Sequence, residues 1–217
     1  MDINQLKSIG LNPAVAYIVG LCYPLYKSIE LNGIIYVVGC VNHNANMINQ
    51  SDLAAHYQAV LQLFNNNFVN RQIKILSNQN SKKNISPKKG FSILIETGVN
   101  SDSQCLSIFK EIATNINSAD MNIKKEFAKG CFDGRSSLDT TAHYLSIDVD
   151  RDYHRQDLIK QIIESCGIEI NINKREQNHK KNDQIRIKKN SVLDFINNVG
   201  LYSKCRLNLI KKDLGII

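Results

Sequence analysis

Two segments of this chain echo one another, and the echo limits what the chain can fold into. The first reads Pro-Ala-Val-Ala-Tyr-Ile-Val-Gly-Leu-Cys-Tyr-Pro, from Pro13 to Pro24. The second reads Phe-Ala-Lys-Gly-Cys-Phe-Asp-Gly-Arg-Ser-Ser, from Phe127 to Ser137. Each is a short helical run with a glycine, Gly20 or Gly130, inside an apolar face. Each is followed by strand-like sequence, a helix, two more strand-like runs and a further helix. A repeat of this length implies two similar modules that bury their matching helices against each other. The expected product is a monomeric pseudo-dimer, a shape suited to a nearly twofold partner such as duplex DNA.

The chain's 217 residues allow two modules of about 100 residues sharing one core. With 43% hydrophobic residues it can bury that core, so it is not a disordered chain. A net charge of +7 favours an anionic partner, and nucleic acid is the leading class. The competing explanation is a general lysine bias, which the many Asn, Ile and Lys residues also fit. Cys22, Cys40, Cys105, Cys131, Cys166 and Cys205 are far apart and form no Cys-x-x-Cys pair. They read as small hydrophobes in a reducing, intracellular compartment, and not as a structural zinc site. The polar start argues against a secretory signal, and no run is apolar enough to span a membrane.

Local signals divide the chain at residues 1–117 and 118–217. Asn12-Pro13 reads as an N-cap followed by proline in the first helical turn, with the helix ending at Pro24. Asn32-Gly33 between apolar runs is a hairpin signal. A helix is expected from Ser51, with Leu53, Tyr57, Val60, Leu61 and Phe64 at helical spacing. Alternation marks strands at 71–78 and 91–97, separated by a basic loop over 81–90. In the second module, alternation sets Leu145, Ile147 and Val149 against Ser146, Asp148 and Asp150. Likewise Ile168, Ile170 and Ile172 alternate with Glu169, Asn171 and Asn173, and Ile185 and Ile187 with Gln184, Arg186 and Lys188. Each module therefore reads α-β-β-α-β-β-α, an α+β arrangement.

Val19-Gly20-Leu21-Cys22-Tyr23-Pro24-Leu25 and Lys129-Gly130-Cys131-Phe132-Asp133-Gly134-Arg135 resemble the signature helices of the LAGLIDADG homing endonuclease family. The order and lengths of the elements from Tyr144 to Lys212 carry the resemblance further. It implies that Gly20 and Gly130 sit where two signature helices pack side by side. It also implies two four-stranded antiparallel sheets forming a DNA-binding saddle. Lys74, Arg135, Asn171, Asn173, Arg175, Arg186 and Lys188 are then candidates to contact bases or phosphates, with Arg or Lys suited to guanine and Asn or Gln to adenine. A polar outer face is also what any half-exposed sheet carries.

In that family an acidic residue ends each signature helix and binds a divalent metal. The matching positions here are Leu25 and Arg135. Asp133 lies two residues before Arg135, about 200° around a helix, which turns it away from the metal position. Its expected role is a hydrogen bond at the helix end, and metal binding or catalysis is the alternative. Lys204 stands where the family places a basic residue near the active centre. Asp148, Asp150 and Asp152 with His154 nearby are a further candidate for a metal cluster, against the plainer reading of an acidic strand end. The reading is a sequence-specific duplex-DNA-binding protein without the standard metal acids. The rivals are a Mg²⁺-dependent endonuclease of homing or restriction type that uses Asp133 or the acids Asp139, Asp148 and Asp150 in a rearranged site, and a module that binds protein or RNA.

Overall fold

The computed structural model describes residues 7–8, 10–42, 50–67, 74–77, 90–98, 101–176 and 178–217. It opens with helix α1 (Pro13–Cys22), then β1 (Ser28–Leu31), β2 (Ile34–Asn42), α2 (Gln50–Asn67), β3 (Lys74–Ser77), β4 (Gly90–Glu96) and α3 (Asp102–Asn117). The pattern then recurs as α4 (Met121–Arg135), β5 (Ser137–Asp139), β6 (Tyr144–Val149), α5 (Tyr153–Ser165), β7 (Ile170–Asn173) and β8 (Asp183–Ile187). A 3₁₀ turn at Lys189–Ser191 leads into α6 (Val192–Asn198) and α7 (Lys204–Asp213). The strands form two four-stranded antiparallel sheets, ordered β1-β2-β4-β3 and β5-β6-β8-β7. The architecture is α+β, with the same strand order in both halves.

The local signals account for the boundaries. Asn12 caps α1, its side chain accepting from Val15 N at 2.9 Å. Asn32 and Gly33 both have positive φ, 53° and 77°, as a two-residue hairpin turn between right-twisted strands requires. Ser101, Asp120, Asp152 and Ser203 cap α3, α4, α5 and α7 by accepting from backbone amides of the first turn. Strand β5 ends at Asp139. Asp139 accepts from the amides of Thr141 and Ala142, which draws the chain into a turn instead of extending the strand.

Helices α1 and α4 cross at the centre of the molecule. A Cβ added at Gly20 would lie 2.0 Å from the Phe127 carbonyl oxygen, and one at Gly130 would lie 2.1 Å from that of Tyr17. The crossing is therefore close enough for backbone to touch backbone. Every residue of α1 from Ala14 to Cys22 is buried, because the helix has α4 on one side and its own sheet and helices on the others. One cluster of buried residues runs through both halves, including Tyr17, Phe91, Phe109, Phe127, Phe132 and Phe195. The Asp150 amide donates to the Pro24 carbonyl at 2.9 Å, a further link between the end of the first helix region and the second sheet. All six cysteines are free thiols, and Cys22, Cys105, Cys131 and Cys166 are buried. Among the described residues no helix is long and apolar enough to cross a membrane.

Candidate nucleic-acid interface

The second sheet turns Leu145, Ile147, Val149, Ile170, Ile185 and Ile187 into the core. Pairing is in register, so the residues between them share the opposite face. Two lateral rows result. One runs Ser137–Ser146–Arg186–Asn171, and the next runs Asp148–Gln184–Asn173. These side chains form a connected network. Arg186 Nε and Nη2 donate to Gln184 Oε1 at 3.3 and 3.1 Å, and Arg175 Nη2 reaches the same oxygen at 3.3 Å. Gln184 Nε2 donates to Asp148 Oδ1 at 3.2 Å. The Arg186 guanidinium lies over the Tyr144 ring, 4.5 Å from its centre, so it is held from beneath as well as from the side. Asn171 is exposed and Asn173 half-buried beside this network.

Basic groups rim the face. Lys188 pairs with Glu169 at 2.9 Å in an exposed contact. Lys174 lies over Tyr153, 5.2 Å from the ring centre. Arg151 donates to the carbonyls of His179 at 2.6 Å and Lys181 at 3.0 Å, which fixes part of the β7–β8 connection carrying the exposed Lys180 and Lys181. Of the first-module candidates, Lys74 is the first residue of β3 and pairs in register with Leu94. Gln72 and the lysines of the 81–90 loop lie outside the described residues.

The first sheet departs from the expected apolar-in, polar-out pattern. Val37, Val41, Ile93 and Ile95 face the core. The middle of its other face, between Ser92 and Glu96 on β4, is also apolar. Tyr36, Val38 and Leu94 are 6%, 5% and 2% exposed and form a cluster of their own, with Ile29, Leu31 and Cys40 against it. The sequence carries the signal in its uninterrupted apolar runs, Ile34 to Val38 and Ile93 to Ile95. Such runs mark strands buried on both faces.

Where the two halves meet, a shallow cleft is lined by Leu21, Leu25, Cys40, Cys131, Ile147 and Asp148. Arg135 is the last residue of α4. Lys204 is the exposed first residue of α7.

Asp133 is 0% exposed, and its carboxylate is taken up by hydrogen bonds inside the protein. Its Oδ2 accepts from the Tyr202 amide at 2.9 Å and its Oδ1 from the Ser203 amide at 3.1 Å. The Tyr17 hydroxyl stands at 3.5 Å and His56 Nε2 at 3.8 Å from Oδ2. Arg206 donates to the main-chain carbonyls of Phe132 and Asp133. Asp133 thus ties α4 to the start of α7 and faces α2. Burial pushes its carboxyl up to about 6, against the opposing pull of the two amides and Arg206. Burial also pushes the His56 imidazole down to about 3, helped by Arg206. Sequence reasoning missed His56, Tyr202 and Arg206 as partners, because nothing in their spacing predicts that α2 and α7 converge on α4.

The acids near β6 do not gather. Asp150 pairs with Arg155. Asp152 caps α5 at Arg155 N, 3.2 Å away, and Asp148 accepts from Gln184. Among the described residues no three His, Cys, Asp or Glu side chains are placed to hold a metal ion.

This arrangement of paired helices beneath two equivalent sheets defines a LAGLIDADG-like fold. The structure is similar to the homing endonuclease I-DmoI in complex with DNA and calcium, at 15% identity over 92% of this chain and 97% of that one, with a TM-score of 0.55. It is also similar to full-length DUF199/WhiA from Thermatoga maritima, at 14% identity and a TM-score of 0.55, covering 97% of this chain and 64% of that one. The N-terminal LAGLIDADG domain of DUF199/WhiA matches at 13% identity over 91% of this chain and 89% of that one, with a TM-score of 0.51. No protein-family model and no curated protein sequence matches the chain.

Proposed function

We propose that this protein is a monomeric, intracellular, sequence-specific duplex-DNA-binding protein that lacks the two-metal cleavage chemistry of homing endonucleases. The observation that carries the reading is the Arg186–Gln184–Asp148 network on the outer face of the second sheet, flanked by Asn171 and Asn173. These groups offer donors and acceptors at strand spacing, which is what a sheet in the major groove needs. The net charge of +7 and the basic rim supply attraction to phosphate. The fold is shared with an endonuclease crystallised on DNA.

Binding should weaken steeply with salt. If Lys174, Arg175, Lys180 and Lys181 each neutralise a phosphate, affinity falls about 100-fold between about 50 and 200 mM salt. Titration of a mixed-sequence duplex by fluorescence anisotropy measures this, and a flat response would remove DNA as the principal partner. Parallel titrations with structured RNA test the binding-module rival.

The residues present do not fit a two-metal site. Leu25 stands at one of the family's acid positions and Arg135 at the other. The acid lining the central cleft is Asp148, and its Oδ1 already accepts from Gln184. Bridging two metals takes more than one free carboxylate. The purified chain with Mg²⁺ or Mn²⁺ and a plasmid of mixed sequence is therefore expected to give no linear product. The second reading, an endonuclease with a rearranged site, rests on Asp148 in that cleft. It would be right if cleavage occurred and Asp148→Asn abolished it.

A further inference from the structure

We infer that base recognition by this pseudo-symmetric molecule is one-sided at its central strands: β6 and β8 of the second sheet read sequence, and β2 and β4 of the first do not. The inference rests on the DNA-binding reading above and specifies which surface carries it. The two sheets share one strand order, so their outer faces compare position by position. On the second strand, Val38 and Cys40 of the first sheet stand where Ser146 and Asp148 stand in the second. On the third strand, Leu94 and Ser92 stand where Arg186 and Gln184 stand.

The chemistry of the two faces differs accordingly. Leu94 is 2% exposed and Val38 5%, and neither has a hydrogen-bonding group. Ser92 is 0% exposed, its hydroxyl 3.6 Å from Cys40 Sγ. Side chains so enclosed reach neither a base edge nor a thymine methyl. In the second sheet Arg186 is braced by Tyr144 and Gln184, and its fork matches guanine O6 and N7. Gln184 and the flanking Asn171 and Asn173 have the amide groups that pair with adenine. Bracing Arg186 in the free protein lowers the ordering cost of using it. On the first sheet Lys74 of β3 takes the register position of Asn171, so sequence information is concentrated on the second sheet's flank of the footprint.

The test is selection of bound duplexes from a randomised library by the full chain, with a hydroxyl-radical footprint on a selected duplex. Selected sequences should agree at clearly more base pairs over one half of the footprint than over the other. Arg186→Ala should relax one base pair in the agreeing half by about 10-fold or more in relative affinity. Ile29→Ala with Leu31→Ala, on the first sheet, should leave the selected sequence unchanged. Agreement spread equally over both halves overturns the one-sided inference and leaves DNA binding standing. Retention of duplexes with no sequence agreement overturns base reading by the second sheet. Retention of no duplex overturns the DNA-binding reading itself.

Discussion

Gly130→Leu should leave the protein unable to fold, and Gly130→Ala should already cost about 3 kcal/mol or more. On an exposed helix face, Gly to Ala is stabilising by about 1 kcal/mol, so the sign here is diagnostic. The reversal follows from the crossing. A Cβ at Gly130 would lie 2.1 Å from the Tyr17 carbonyl oxygen and 2.9 Å from the Leu21 amide nitrogen. Both are backbone atoms in a fully buried helix, so no side chain can rotate away. The helices would have to separate, and separation opens the core that both halves share. Denaturant melting of Gly130→Ala and Gly20→Ala against the parent measures the effect. Midpoints equal to the parent's would mean that the helices do not cross at these glycines.

Removing the buried acid should be nearly as damaging. Asp133→Ala is expected to cost about 3–5 kcal/mol, because the amides of Tyr202 and Ser203 lose their acceptor and Arg206 loses its counter-charge. The milder Asp133→Asn variant exposes a linkage effect. The carboxyl value is raised from 3.8 to about 6 in the fold, so its contribution to stability is full below 3.8 and is lost as pH rises through about 6. The His56 value is lowered from 6.5 to about 3, so its contribution is full above 6.5 and is lost as pH falls toward about 3. Between 3.8 and about 6 the two contributions run in opposite directions and nearly cancel. Asp133→Asn leaves the histidine alone. Its stability should then fall on acidification more steeply than the parent's, by about 1.4 kcal/mol per pH unit. Chemical denaturation at several pH values within that window gives both slopes, and parallel slopes would show that Asp133 does not titrate in the fold.

The legible parts of the fold were those set by local chemistry. Asn12 before Pro13, the Asn32-Gly33 turn and the alternation in β6, β7 and β8 each act over a few residues, and each appears in the structure. The repeat of α1 and α4 was legible as well, in the glycine that each apolar helical run carries, and the resemblance to the LAGLIDADG family implied that the two glycines meet. Long-range partners were not legible. Asp133 meets residues 69 and 70 positions further along the chain, and no spacing rule reaches that far. The outer face of the first sheet was misread for another reason. Period-2 alternation was assumed for 91–97, where Ile93, Leu94 and Ile95 are apolar at successive positions, and such a run belongs to neither face alone.

The glycine crossing has a consequence for how such a chain can change. Each glycine is the seat for the other helix's backbone, so drift at Gly20 is restrained by Phe127 and drift at Gly130 by Tyr17. The strands bear no part of that restraint on their outer faces. Mutations there can accumulate independently in the two halves while the junction stays constant. A pseudo-symmetric chain locked at its seam and free at its margins can let its two margins diverge without losing its fold. By the same logic, side chains on the second sheet's outer face could be exchanged while α1 and α4 are left untouched.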